Sequence, residues 1–293
     1  MNKNVVVFGG CGFIGSRVVD FLQNNNYNVI SADIRYSNNI SKDIFRKCDI
    51  MDPDSVAEIV TNANFVFNFA GFANLDDSIQ NPLRTMELNI LGHLNILNAC
   101  LKHNVSRIIY ASSAYAMSDK GSFYGISKLS SEKITEEYYK KFGLKFTILR
   151  YGSVYGHQEF YNNYIYNLIK EAMINKEIVH HGNGEEIREY IHVDDVAKLA
   201  VDIIQNTEFE NSHLILTGLE KMKRKELFDM INEMLGNTIK ITLLNDGYSN
   251  HYMTTPYSFH PIMSKKIIPN PFIDMGQGLL ECMQDIERKY GKL

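Results

Sequence analysis

The first 150 residues alternate two hydrophobic rhythms. Short runs rich in β-branched and aromatic side chains, at 5–8, 28–32, 65–69, 107–111 and 145–149, read as buried strands. Between them apolar residues recur at three- and four-residue spacing over 14–24, 54–61, 83–103 and 123–142, which predicts helices. Strands that alternate with helices imply a parallel sheet covered on both faces. Right-handed crossovers then bring every strand's C-terminal end to one edge, where doubly wound sheets bind ligands. After Arg150 the rhythm changes. A helix is expected over 164–175, short strands near 178–181 and 187–191, a helix after Val193, and a mixed region from about His213. There is no internal repeat, low-complexity tract or flexible linker to separate the two halves. The expectation is a doubly wound α/β domain over 1–155, also taking in about 185–206, and a smaller interleaved α/β lobe over 156–293.

Composition narrows the partners. The chain has 293 residues, 45% hydrophobic and 22% charged, as an ordinary globular protein does. A net charge of −4 provides no footprint for nucleic acid or for an anionic membrane surface. No stretch approaches the ~18 apolar residues needed to span a bilayer, and no signal-peptide pattern precedes the strand at 5–8. Cys11, Cys48, Cys100 and Cys282 are scattered, without a C-x-x-C pair or a histidine cluster at metal-ligand spacing. Neither a disulfide framework nor a metal is expected, and the chain is assigned to the cytoplasm.

The first strand runs into a glycine-rich turn, Gly9-Gly10-Cys11-Gly12-Phe13-Ile14-Gly15, and then a helix. Glycines at 9, 12 and 15 permit a tight turn, let backbone approach a pyrophosphate and allow the helix to pack closely on the strand. The helix start presents unpaired N–H groups and the positive end of its dipole to phosphate. This placement makes the turn a dinucleotide site of Rossmann type. Asp33 ends the second strand 18 residues past Gly15, where a carboxylate meets the adenosine ribose 2′-hydroxyl and repels a 2′-phosphate. Arg35 could pair with such a phosphate, and a solvated loop acid is the plain alternative for Asp33, but the balance favours NAD over NADP.

Tyr124 and Lys128 stand four apart at the start of a helix, so both heads reach one cleft. A tyrosine titrates near ~10, so a base at neutral pH needs about 3 units of lowering, or ~4 kcal/mol. A fixed ammonium and a positive nicotinamide supply the required field. Ser112 and Ser113 end the strand at 107–111 and face the same edge.

Taken in order, these motifs resemble the extended short-chain dehydrogenase/reductases, in the nucleotide-sugar epimerase/dehydratase branch. The likeness covers almost the full length. It rests on the glycine turn, Asp33, Cys48-Asp49-Ile50-Met51-Asp52, Asn68-Phe69-Ala70-Gly71 and Asn89-Ile90-Leu91-Gly92-His93-Leu94-Asn95. It continues through Ala111-Ser112-Ser113, Tyr124-x-x-x-Lys128 and Leu149-Arg150-Tyr151-Gly152-Ser153-Val154-Tyr155-Gly156. It ends with Gly182-Asn183-Gly184 and Arg188-Glu189-Tyr190-Ile191-His192-Val193-Asp194-Asp195-Val196. The resemblance implies that Gly9, Gly12, Phe13, Ile14, Gly15, Asp33 and Ile34 border the cofactor. It implies that Asp49 and Ile50 flank the adenine, that Phe69, Ala70 and Gly71 lie towards the nicotinamide ribose, and that Tyr151 sits by the nicotinamide. Ser113 would hydrogen-bond the sugar hydroxyl, Tyr124 would take its proton, and Lys128 would hold the ribose and tune Tyr124. Ser153 and Arg188 would contact the nucleotide sugar, Arg188 at the diphosphate. The plain alternative for Arg188 is a surface ion pair with Glu185 or Glu186.

Departures from the family pattern shape the expected reaction. Members that eliminate water resemble one another in an acidic residue just after the catalytic Ser/Thr, and here Ala114 and Tyr115 follow Ser113. Hydride chemistry at C4 needs only Ser113, Tyr124, Lys128 and NAD, which favours a 4-epimerase. A 4,6-dehydratase, C4 reductase or 4-dehydrogenase on the same substrate class is the alternative. Outside catalysis, the alternative is a silent cofactor-binding regulatory protein. Only 11 positions separate Ser113 from Tyr124, short for the family, and Ser153 stands where asparagine is common. The segment 252–261 lacks the arginine expected near the diphosphate, and Tyr115 or His157 is an additional candidate proton donor for C3/C5 epimerisation. The helical patterns at 83–103 and 123–142 match elements that pair in family dimers, so a homodimer is expected.

Overall fold

The computed structural model describes residues 3–161, 163–219, 221–244, 251–254 and 265–291. The first half runs β1 (Asn4–Phe8), α1 (Phe13–Asn24), β2 (Asn28–Asp33), β3 (Phe45–Lys47), α2 (Pro53–Val60), β4 (Phe65–Asn68) and α3 (Leu75–Gln80). It continues with α4 (Pro82–Met86), α5 (Gly92–Lys102), β5 (Arg107–Ser113), α6 (Ser122–Phe142) and β6 (Phe146–Tyr151). The second half holds β7 (Ser153–Tyr155), α7 (Tyr164–Asn175), β8 (Glu177–His180), β9 (Ile187–His192), α8 (Val193–Gln205) and β10 (Ser212–Leu216). After these come β11 (Lys221–Lys223), α9 (Arg224–Met234), β12 (Lys240–Leu243), β13 (Lys265–Ile267) and α10 (Met275–Tyr290).

Eight strands form one sheet in the order β13-β10-β6-β5-β4-β1-β2-β3, and every neighbouring pair is parallel. The chain winds outward from β1 through β2 to β3, then returns to β4 on the other side of β1. That reversal opens a crevice between the C-terminal ends of β1 and β4. The pleat of β1 decides its packing. Val5 and Val7 join a core with Val18, Val19 and Leu22 of α1 and with Val196 and Ala200 of α8. Val6 and Phe8 point to the opposite face, against Val56 and Val60 of α2 and Ile96 and Leu97 of α5. Each fully buried side chain of this kind contributes about 1.5–3 kcal/mol. Both faces of the sheet are therefore dry, and its usable surface is its edge.

The predicted strands and helices of the first half are present. The helix expected over 83–103 is α4 and α5 joined through a π-turn at Glu87–Leu91. β3 and β13 were not predicted, being three residues each at the two ends of the sheet, too short to show a period. In the second half β10 and β13 extend the large sheet. β9 lies between β7 and β11 in a small one, and β8 pairs with β12. A third core beneath them packs Tyr166 and Ile169 of α7, Leu227 and Phe228 of α9, and Leu279 and Ile286 of α10.

A buried charged cluster joins α6, β5 and β6. Glu132 of α6 is fully buried and receives Arg150 of β6 in a two-pronged pair, Nε to Oε1 at 2.9 Å and Nη2 to Oε2 at 2.6 Å. Ser112 of β5 donates to the same Oε1 at 2.5 Å. Three elements that carry site residues are thus tied at one carboxylate. All four cysteines are buried and free. Among the described residues no helix is long and apolar enough to cross a membrane.

Candidate active site

A cleft open to solvent runs along the C-terminal edge of β1, β2, β4, β5 and β6. Gly9, Gly12, Phe13, Ile14, Gly15, Asp33, Ile34, Asp49, Ile50, Phe69, Ala70, Gly71, Tyr124, Lys128 and Tyr151 all line it. The structure therefore brings together every residue read from the sequence as bordering a cofactor. The glycine turn is as close as backbone permits. Gly9 has φ +73°, and a Cβ there would stand 2.7 Å from the Ala70 nitrogen across the crevice. A Cβ on Gly15 would meet the Gly9 carbonyl oxygen at 2.2 Å. Such a turn cradles a pyrophosphate at the start of the 12-residue α1, where no acidic side chain opposes it. Asp33 accepts from the backbone N–H groups of Cys11 at 3.1 Å and Arg35 at 3.3 Å, which holds its carboxylate at the cleft wall. Arg35 itself is exposed. These donors and the carboxylate fit NAD.

The cleft opens into a second cavity, and Ser113, Tyr124, Tyr151, Gly152 and Val154 line both. Here Ser113, at the end of β5, stands beside the Tyr124 phenol and favours the phenolate. Burial is the larger effect and pushes Tyr124 up to about 12. Lys128, one turn along α6, donates to the Ala111 carbonyl at 2.8 Å, and its Nζ lies 5.8 Å from the Tyr124 ring centre. Burial lowers it to about 8 against the opposing pull of Glu132. Tyr124 thus rests as a phenol beside a lysine whose proton is easily exchanged.

The short connection from Ser113 to Tyr124 leaves this geometry intact. A 3₁₀ turn at Ala114–Met117 begins on Ser113, whose Oγ accepts from the Tyr115 N–H at 3.2 Å. Gly121, with φ +98°, then lets the chain turn against the Tyr115 ring, where a Cβ would sit 2.7 Å from a ring carbon. Behind α6, Asn89 in the π-turn accepts from Phe72 N–H at 2.6 Å and donates to Ser127 Oγ at 2.8 Å. Its place in a motif was visible, but this bracing of α6 against the loop after β4 was not.

Ser153 and Arg188 line the second cavity with Tyr161, Tyr164 and Tyr190. Arg188 is buried, its guanidinium 4.1 Å from the Tyr252 ring centre, so it is no surface residue. Glu185 instead pairs with Lys223 and Lys225, and Glu186 faces His180 at 3.2 Å. Sequence reasoning missed Arg224, which opens α9 and brings a second buried guanidinium into this cavity, 4.1 Å from the Tyr164 ring centre. Nothing in its local pattern, Lys-Arg-Lys-Glu-Leu, distinguishes it from a solvated helix start. Asp76 and His251 also line the cavity and were also missed. The expectation about 252–261 concerns a segment whose residues 255–261 lie outside the described residues.

His157 does not line either cavity. It stacks on His192 at 5.9 Å, and both face Glu281, at 3.9 Å and 3.5 Å respectively. The ligand atoms of this trio lie within 4.8 Å of one another, a cluster that sequence spacing did not show. His192 Nδ1 accepts from Asp194 N–H at 3.3 Å, so Nε2 carries the hydrogen towards Glu281. That tautomer suits a histidine–carboxylate contact, because a metal at Nε2 would need that nitrogen bare.

A parallel sheet with a pyrophosphate turn on one side and a Ser–Tyr–Lys group where two cavities meet defines a dinucleotide-dependent enzyme of the short-chain dehydrogenase/reductase type. Residues 5–217 match the model of the NAD dependent epimerase/dehydratase family, and the chain belongs to that family. It is 32% identical over 255 residues to a putative UDP-glucose 4-epimerase of Methanocaldococcus jannaschii, covering 79% of this chain and 82% of that one. It is 25% identical over 260 residues to a dTDP-glucose 4,6-dehydratase of Streptomyces antibioticus, covering 80% and 77%. The solved UDP-glucose 4-epimerase of Thermotoga maritima, with UDP-glucose, superposes with a TM-score of 0.85 at 25% identity over 98% of this chain and 99% of that one. The protein is NAD-dependent, and its relatives include both epimerases and dehydratases.

Proposed function

We propose that the protein is a nucleotide-sugar 4-epimerase that works through a transient 4-keto intermediate, with the hydride held on bound NAD. The observation that carries this is the meeting of Ser113, Tyr124 and Lys128 at the junction of the two cavities. NAD supplies the hydride acceptor for C4 and, when oxidised, a positive ring whose field favours the Tyr124 phenolate. Tyr124 takes the C4 hydroxyl proton, Ser113 donates to the same oxygen, and Lys128 holds the ribose and assists Tyr124. The glycine turn, Asp33, Ile34, Asp49, Ile50, Phe69, Ala70, Gly71 and Tyr151 hold the cofactor. Ser153 contacts the nucleotide sugar. Elimination of water is disfavoured because position 114, beside Ser113, is a buried alanine. The relatives named for UDP-sugars make UDP-hexoses the first substrates to try, with the dTDP-sugar dehydratase reading as the alternative.

The test is incubation with UDP-glucose and UDP-N-acetylglucosamine in deuterated water, read by NMR. A new C4 stereoisomer with no deuterium at C4 is expected, because the hydride returns from the enzyme-held cofactor. Deuterium at C4, or loss of water, would overturn the reading.

Arg188 and Arg224 are assigned to the diphosphate, two buried guanidinium groups suited to its oxygens. Each charged hydrogen bond contributes about 1.5–3 kcal/mol, so Arg188→Ala and Arg224→Ala should each raise KM for the nucleotide sugar about 10–100-fold. An unchanged KM in steady-state kinetics would remove that arginine from the diphosphate. A homodimer is supported by Leu83, Leu91, Ile126 and Leu129, all exposed along α4, the π-turn and α6. Sedimentation equilibrium returning a single-chain mass would exclude it. Four free thiols support residence in the reducing cytoplasm, which cell fractionation checks.

A further inference from the structure

We infer that Tyr115, His251 and Asp76 form a second proton-transfer group in the sugar cavity, giving the protein a further activity. That activity is exchange of the carbon-bound hydrogens beside the ketone of a 4-keto nucleotide sugar. The inference rests on reading this cavity as the sugar site, but it does not require hydride transfer.

The group is assembled from three distant segments. Tyr115 lies in the 3₁₀ turn after β5, Asp76 in the first turn of α3, and His251 ahead of Tyr252. All three line the cavity that holds Ser113 and Tyr124. The Tyr115 hydroxyl and His251 Nδ1 are 2.7 Å apart, and His251 Nε2 stands 3.5 Å from Asp76 Oδ1. With the phenol donating to Nδ1, the Nε2 hydrogen faces the carboxylate. This is the order a relay needs: a hydroxyl, an imidazole to take its proton, and an anion to hold the imidazolium.

Tyr115 is also held in place. Its N–H donates to Ser113 Oγ, its ring packs against Gly121 and lies 4.7 Å from the Tyr252 ring, and it meets Tyr124 edge-on at 6.2 Å. Two phenols of one cavity thus have different neighbours. Tyr124 answers to Ser113 and Lys128, and Tyr115 to an imidazole and a carboxylate. The first pair suits removal of a hydroxyl proton with departure of hydride. The second suits removal of a proton from carbon, which needs a base with somewhere to send its own proton.

The step balances without an oxidant. Once C4 is a ketone, the electrons left by a proton from C3 or C5 delocalise onto the carbonyl oxygen. The Tyr115 proton passes to Nδ1, and the imidazolium is held by Asp76. The phenolate oxygen takes the C3 or C5 hydrogen, and the C–H electron pair becomes the double bond of an enolate. The enolate oxygen faces the hydroxyls of Ser113 and Tyr124. While the enolate lasts, the imidazolium releases its proton to water and the Tyr115 phenol exchanges its new proton with water through Nδ1, so reversal delivers a solvent hydrogen to the carbon.

The test supplies the ketone ready-made, so a failed 4-epimerase assay and a failed relay are separate results. UDP- and dTDP-4-keto-6-deoxyglucose are incubated with the NAD-loaded protein in deuterated water, and the H3 and H5 signals are followed by NMR against buffer alone. The protein should exchange at least one of these positions about tenfold or more faster than buffer. Tyr115→Phe and His251→Gln should each lower that rate about tenfold, and Asp76→Asn by a smaller factor. Retained NAD and an unchanged unfolding midpoint confirm that each variant is folded. Exchange no faster than in buffer, or a Tyr115→Phe variant that exchanges as fast as the parent, would overturn the inference. The first result would leave Tyr115 as a sugar-contacting wall only.

Discussion

Tyr124→Phe should cut turnover about 10²–10⁴-fold, the range a positioned acid–base group contributes, while the protein still purifies with NAD. In energy this is ~3–5 kcal/mol of transition-state stabilisation. The substitution keeps the ring, and with it the edge contact to Tyr115, so the loss reports the hydroxyl and not the packing. It should fall on kcat, because the phenol meets only one oxygen of the substrate. At rest Tyr124 is held up to about 12 by burial, so its own proton must leave before it can take one from the C4 hydroxyl. Ser113, Lys128 and the cofactor's charge must act together. Turnover within tenfold of the parent, in a coupled assay of C4 interconversion, would show that another group takes the hydroxyl proton.

The largest effect on stability should come from Glu132→Ala. Removing one partner of a buried ion pair costs about 3–5 kcal/mol, because the charge left behind has neither water nor a counter-ion. Here Arg150, at 4% side-chain exposure, would lose its buried carboxylate, and Ser112 would lose its acceptor. Urea unfolding is the measurement, and a loss below about 1 kcal/mol would mean that water reaches the pair. Replacing both partners, as Glu132→Leu with Arg150→Met, should be much milder, since two apolar groups leave no buried charge. The position matters to function as well. Glu132 lies one turn beyond Lys128 on α6, and Arg150 adjoins Tyr151 on β6, so loosening the pair loosens both walls of the cleft.

What the sequence by itself determined is local and periodic. Buried parallel strands are near-continuous apolar runs, which is why 5–8, 65–69 and 107–111 stood out. The helices between them carried a three-to-four repeat. The glycine turn was legible because its chemistry is backbone geometry between a strand and a helix, all within 11 residues of chain. Tyr124 and Lys128 were legible because one helical turn joins them. A parallel sheet puts the ends of its strands on one edge, which joins the glycine turn and Asp33 to Ser113, Tyr124 and Lys128, whereas Asp49, Ile50, Phe69, Ala70, Gly71 and Tyr151 were implied by the family resemblance.

What only the tertiary structure decided are contacts between segments that share no local pattern. Arg224 enters the second cavity from the start of α9, 36 residues past Arg188, and its own neighbours read as a solvated charge run. Asp76 and His251 meet across 175 positions, and in space His251 stands between Asp76 and Tyr115. Neither carboxylate nor imidazole has a spacing that announces the other. His157, a candidate proton donor in the sequence, is drawn away to His192 and Glu281 instead. β3 and β13 are three residues each and exist because a neighbouring strand offers hydrogen bonds. A period needs length to be seen and a site needs proximity. The chain shows the first directly, and only folding creates the second.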